Sequence, residues 1–191
     1  MKKIILLCFF GLSATILFAQ KETFDLISYT PPRAWKKQPA ESAIQYSIEN
    51  AAKGTYCMIT VFKAVQGTAN SKENFDIAWA SLVKETVTVS APPEMQPPAT
   101  EDGWEVQSGY ATFENDGNKG IVALVTSSGF EKMMNIVILT NTDVYEKNIS
   151  EFLESIKFNK QGLGFNRPAT NPVKPEQVNT VTKNEGFTFT T

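Results

Sequence analysis

Apolar and polar positions alternate through much of the stretch 23–65, and this period of two predicts strands. Residues 23–30 read as the first strand, stopped by Pro31-Pro32 because proline cannot donate to a ladder. Residues 43–48 read as the second, 50–54 as a turn, and 56–65 as a strongly apolar third carrying Tyr56, Met58, Val61, Phe62 and Val65. Together they predict an antiparallel opening unit.

The period then changes. Asn70 or Ser71 reads as an N-cap, with Glu73 placed to reach back, and Phe75, Ala78, Trp79, Leu82 and Val83 follow at helical spacing. This helix is expected to end near Glu85. Residues 91–98 carry Pro92, Pro93, Pro97 and Pro98 and predict an extended surface connector.

A three-strand meander comes next. Residues 104–113 form its first strand, and Asn115-Asp116-Gly117-Asn118 is a turn, since Asn, Asp and Gly tolerate positive φ. Residues 120–127 form the second strand, Ser128-Gly129 the second turn, and 132–140 the third strand. Ile136, Val137, Ile138 and Leu139 are apolar on both faces, which predicts a central strand covered on both sides. Asp143 and Glu146 read as a capping box for a last helix with a stripe of Tyr145, Ile149, Phe152, Leu153 and Ile156, and Phe158 closes the unit. The expected fold is therefore α+β, an antiparallel β-sheet of about six strands with two main helices packed on it.

The two ends of the chain differ from this middle. Lys2 and Lys3 precede an almost unbroken apolar run, 4–18, which ends at Ala19 before polar Gln20-Lys21-Glu22. This is the pattern of a signal peptide, with cleavage expected between Ala19 and Gln20. A retained membrane anchor would need about 20 apolar residues. A lipoprotein reading would use Cys8, which has too short an apolar run before it. From Asn159 onward Gly, Asn, Pro, Thr and Lys dominate. The organisation read is 1–19 signal peptide, 20–159 a single α/β domain, 160–191 linker or disordered tail. The tail ends in an alternating Phe187-Thr188-Phe189-Thr190. Location is expected to be periplasmic or secreted, with no transmembrane span in the mature chain.

Charge and composition remove several chemistries. Hydrophobic residues make up 42% and charged residues 20%, as in globular proteins that bury a core. Net charge is −2, and removing 1–19 with Lys2 and Lys3 leaves −4, which disfavours nucleic acid as a partner. There is no histidine, so Ser-His-Asp and Cys-His catalysis and the common His-based metal sites are excluded. Of two cysteines, Cys8 lies in the leader, so the mature chain holds Cys57 alone and no internal disulfide.

The remaining candidates are sparse. Cys57 lies in an apolar strand and reads as a buried small hydrophobe rather than a reactive thiol. Ser127 and Ser128 before Gly129 lack the Gly-x-Ser-x-Gly spacing of a hydrolase elbow. Glu114, Asp116 and Asn118 do not match a calcium loop and read as a hairpin turn. Glu101 and Asp102 are a carboxylate pair that no spacing singles out. Trp79 lies on the helix stripe and is expected in the core; Trp35 and Trp104 flank loops and either could line a groove. Arg33, Lys36 and Lys37 form a local basic cluster that could be a solvated charge run or an acidic partner's site. No cofactor or metal is implied.

The run Ile27-Ser28-Tyr29-Thr30-Pro31-Pro32-Arg33-Ala34-Trp35, a strand entering proline and then tryptophan, resembles the opening of the PsbP and DcrB superfamily of small exported α/β proteins. The ending Phe152-Leu153-Glu154-Ser155-Ile156-Lys157-Phe158 is similar to that family's closing helix. Ala34 stands where the family shows glycine before tryptophan. The chain also resembles uncharacterised exported proteins of Bacteroidetes-type bacteria, some of them longer. The resemblance implies an antiparallel sheet with helices against it, a PsbP-like α/β sandwich, and no particular reaction. The function expected is a non-enzymatic exported envelope protein that binds or assists a protein or small-molecule partner. The alternatives are a carboxylate-dependent, glycan-acting hydrolase and the N-terminal module of a longer secreted protein.

Overall fold

The computed structural model describes residues 20–115 and 117–159; the leader, Asp116 and the tail lie outside the described residues. In chain order the elements are β1 (Glu22–Phe24), β2 (Ile27–Tyr29), β3 (Lys36–Pro39), β4 (Ala43–Asn50), β5 (Thr55–Phe62) and β6 (Val65–Gln66). Then come α1 (Ser71–Ala78), a π-helical turn (Trp79–Val83), β7 (Glu94–Met95), β8 (Ala99–Glu101), β9 (Trp104–Asn115), β10 (Asn118–Gly129), β11 (Lys132–Thr140), α2 (Glu146–Glu154) and β12 (Lys157–Phe158).

The α+β class and the antiparallel pairing hold, but the strand count does not. Among the described residues a nine-stranded sheet runs β3-β4-β5-β11-β10-β9-β7, with β6 on β11 and β8 on β9, and a three-stranded sheet runs β1-β2-β12. The extra strands are those too short to show a period. Residues 23–30 are not one strand: Asp25, at φ 51, turns the chain so that Phe24 faces Ile27 across a hairpin. That hairpin pairs with β12, so the expected opening unit is divided between two sheets. β3 forms a wholly exposed edge, and the proline-rich connector lays β7 on β9 between its proline pairs.

β11 is central, as its two-sided apolar run requires. Ile136 and Ile138 join one core with Ile44, Tyr46, Cys57, Ile59, Val61, Ala123 and Val125, under Ile149 and Phe152 of α2 and Ile27 and Tyr29 of β2. Val137 and Leu139 join the other, with Val122, Leu124, Ala111 and Phe113, under Phe75, Ala78, Trp79 and Val83. Removing these side chains from water stabilises the fold by about 1.5–3 kcal/mol for each large one.

Local signals explain the helices in part. Asn70 is the N-cap, its Oδ1 accepting from the backbone N–H of Lys72 (3.0 Å) and Glu73 (3.1 Å). Glu73 does not reach back to the cap; it accepts from the Thr68 hydroxyl at 3.1 Å. Past Ala78 the helix widens by one residue per turn, with Lys84 N–H bonding to Trp79 O. The wider turn keeps Ala78, Trp79 and Val83 all against the sheet. The expected Asp143 capping box does not form: α2 starts at Glu146, whose N–H bonds to the Asp143 carbonyl. Its apolar stripe is as read, with Tyr145, Ile149 and Phe152 buried.

Candidate functional site

The second expected turn is displaced. β10 runs through Ser127, Ser128 and Gly129, and the chain reverses at Phe130-Glu131, both at positive φ (55° and 60°). Gly129 looks like a turn residue but serves a different need. A Cβ there would lie 3.1 Å from Trp104 Cδ2, so its bare backbone makes room for the indole. Ser127 and Ser128 are therefore buried strand residues, and Ser128 Oγ accepts from Asn74 Nδ2 at 3.0 Å. The partner of Ser128 is an amide rather than a base, and both serines lie on a buried strand rather than at a turn.

The other candidates resolve into structural roles. Cys57 is buried, and desolvation pushes its thiol up to about 12, more than hydrogen bonding to Thr140 and the Met58 backbone offsets. Burial thus holds the thiol in its protonated form, which disfavours nucleophilic attack by it. Glu114 pairs with Lys119 at 3.3 Å across the hairpin where Asn118 faces Asn115, as the turn reading expects. Glu101 is bound to Lys157 Nζ at 2.5 Å, and Asp102, at φ 52, is the first residue of the Asp102-Gly103 turn between β8 and β9. The two carboxylates thus sit on an exposed hairpin tip. Among the described residues no three His, Cys, Asp or Glu side chains converge as metal ligands.

All three tryptophans are buried. Trp79 stacks on Phe75 with centroids 5.7 Å apart, Trp35 meets Tyr145 edge-on at 5.9 Å, and Trp104 stacks on Phe158 at 4.5 Å with Phe130 against its edge. Trp35 and Trp104 are thus packed against aromatic rings rather than left exposed beside their loops. The basic cluster also separates. Lys36 and Lys37 are neighbours on β3 and project to opposite faces of the sheet. Lys37 is held by Glu22 at 2.5 Å.

Glu22 belongs to a chain of polar contacts that sequence reasoning missed. Tyr46 Oη donates to Glu22 Oε2 at 2.8 Å, and the Tyr29 hydroxyl lies 2.9 Å from Tyr46 Oη. Burial pushes both phenols up, and the bond between them and the Glu22 charge hold Tyr46 higher still. Burial would raise the Glu22 carboxyl, but bonds from Lys37 and Tyr46 outweigh it and hold it below its ordinary value. The chain clasps β1 of the small sheet onto β3 and β4 of the large one. The signal for it was Tyr46 between Ile44 and Ile48 on the inward side of a strand.

What remains as a surface for binding is a shelf beside α1. The register places Leu139 opposite Met58 and Val137 opposite Thr60, so Tyr56, Met58, Thr60 and Phe62 lie on the face that carries α1. Gln45 and Ser47 of β4 and Lys36 and Gln38 of β3 continue that face outward. The helix lies chiefly over β9 and β10, and its core reaches Val137 and Leu139 of β11. On the β3–β5 half, Gln45, Ser47, Met58 and Thr60 of this face are part-buried, and Lys36 and Gln38 at the edge are exposed. Tyr56, Met58, Phe62 and Leu82 pack against the edge of the helix-side core and stay half-buried, while Cys57, Ile59 and Val61 on the reverse side are fully buried. The π turn borders the shelf through Leu82, and in the same cluster the Trp79 indole N–H is buried without a hydrogen-bond partner. The Trp104 indole N–H, packed against Phe130 and Phe158, is in the same state, so it is the π turn that sets the shelf apart, a feature that recurs where backbone is shaped for something other than stability.

No protein-family model matches the chain, and no curated protein matches it in sequence. Solved structures match in fold. A crystal structure from Bacteroides thetaiotaomicron superposes with a TM-score of 0.50 at 14% identity, over 75% of this chain and 50% of that one. LpqN, involved in cell envelope biogenesis of Mycobacterium tuberculosis, superposes with a TM-score of 0.48 at 14% identity, over 70% of this chain and 83% of that one. The chain thus spans half the length of the Bacteroides protein, and at this identity the likeness is one of fold.

Proposed function

We propose that this chain is an exported accessory protein of the bacterial envelope, periplasmic or secreted, that works by binding a protein partner on the shelf formed by β3–β5. The reading of export rests on Lys2, Lys3, the apolar run 4–18 and the Ala19-Gln20 junction. Among the described residues no helix is long and apolar enough to cross a membrane. The reading of binding rather than catalysis rests on the candidates above, each of which is engaged in packing, an ion pair or a turn. The acidic net charge and the projection of Lys36 and Lys37 to opposite faces speak against nucleic acid. The PsbP-like family relationship belongs to the same proposal, supported by the opening and closing motifs.

The half-covered sheet face carries the proposal, and its dimensions suggest the occupant. Three strands spaced about 4.8 Å apart make a floor about 14 Å wide, room for one helix of about 10 Å diameter beside α1. Eight residues in β4 and in β5 make it about 27 Å long there and four in β3 about 14 Å, so the floor is about 320 Å², under half of what a standard interface buries on each partner. The shelf therefore suits one amphipathic helix of a partner, seated on Tyr56, Met58 and Phe62 and completing the helical layer. Aromatic and methionine side chains are the types enriched at such contacts.

A photo-crosslinking side chain placed at Gln45 or Ser47 of the exported protein tests this in cells. The expected result is one discrete protein adduct, lost on Met58→Glu while the thermal midpoint stays within a few degrees. Equal adducts from Thr112, an exposed position of β9 on the opposite face of the sheet, or none from the shelf, would overturn it. The half-length cover of the Bacteroides structure favours a second reading, a module of a longer secreted architecture.

A further inference from the structure

We infer that the mature chain carries a lactam at its N-terminus, formed from Gln20 without an enzyme or co-reactant. This rests on the export reading, which makes Gln20 the first residue once the bond after Ala19 is cut. Gln20 and Lys21 are exposed and precede the first strand, which begins at Glu22. Glu22 is fastened by Tyr46 and Lys37, so the ordered chain starts only two residues from the new end. The Gln20 side chain makes no hydrogen bond among the described residues, so nothing restrains its amide from folding back on the amine.

The chemistry follows from an N-terminal glutamine with that freedom. An α-amino group has a pKa of about 7.7–8.0, so on the order of a tenth of the population is neutral and nucleophilic at neutral pH. Its nitrogen attacks Cδ of its own side-chain amide. The N–Cδ bond forms and the Cδ–Nε2 bond breaks. Nε2 leaves as ammonia, taking one proton from the attacking amine, and a five-membered lactam remains. Nothing is oxidised or reduced. The product has no N-terminal charge and no free amine for an aminopeptidase to engage, so Lys21 and the Glu22 anchor of β1 are shielded from stepwise trimming.

The test is to export the full 191-residue chain, purify the mature protein and hold it at neutral pH. Its intact mass is then measured, with the peptide ending at Arg33. The expected mass begins at Gln20 and is lower by one ammonia, and the protein resists aminopeptidase. A Gln20→Ala variant is expected to keep its amine and be trimmed. A chain beginning at Gln20 with its amide and amine intact overturns the lactam and leaves the export reading standing. A chain beginning at Met1 or any other residue overturns both.

Discussion

Ala34 occupies the left-handed region at φ 64, directly before buried Trp35. An L-residue there meets a clash between Cβ and backbone worth about 1–2 kcal/mol, which glycine avoids. Glycine gives back part of that gain through its freer unfolded chain, about 0.4–1 kcal/mol. Ala34→Gly is therefore expected to stabilise the protein by about 0.5 kcal/mol, a rise of roughly 1–2 °C in thermal midpoint. Ala34→Val is expected to lower it by at least as much. Calorimetry on the pair checks this, and a fall for both would show that the turn before Trp35 is set by packing alone.

At the scale of elements, the Tyr29–Tyr46–Glu22–Lys37 chain joins the N-terminal hairpin to the large sheet beside the packing of Ile27 and Tyr29 and the Asp25 bond to the Ala64 amide, and its share of that joint is sensitive to acid. The Glu22 carboxyl is held below its ordinary pKa, so its contribution is present above the unfolded value of about 4.3 and is lost as pH falls through the folded one. Glu22→Gln is expected to be less stable than the native chain at neutral pH, with the gap closing below roughly pH 4. Thermal melts across that range check it, and a gap that stays constant in acid would remove the ionised carboxylate from the account. Much of this level was legible in advance. The long strands β9–β11, the Asn115–Asn118 hairpin, the Asn70 cap and the stripe of α2 follow from period and turn chemistry. The short strands did not show, because two or three residues carry no period. The Phe130-Glu131 turn did not show either, since neither residue is a turn former; Phe130 packs its ring against Trp104, and Gly129 is spent on the indole. Of the candidate site, Met58 and Phe62 were visible as apolar, but exposure of one face of β5 depends on where α1 stops, which no local pattern encodes.

For the whole molecule, the two cores are unequal in reach. The core under α2 extends across the sheet from β4 to β10, whereas the core under α1 is built on β9, β10 and β11. Backbone amides of β10 and β11 are expected to exchange with solvent only on global unfolding. Those of β3 and the outer side of β4 are expected to exchange earlier, by local opening. Hydrogen-exchange mass spectrometry resolves this order, and uniform protection from β3 to β10 would contradict it. The uneven cladding also bears on how heat would be exchanged when the bare strands are covered. Closing an apolar floor against a visitor withdraws hydrated surface, so association there carries a negative heat-capacity change. It also restrains strands that were supple beforehand, so the outer amides should slow most when the complex forms. Tightness of binding would then depend as much on how far those strands are stilled as on how well the two surfaces match.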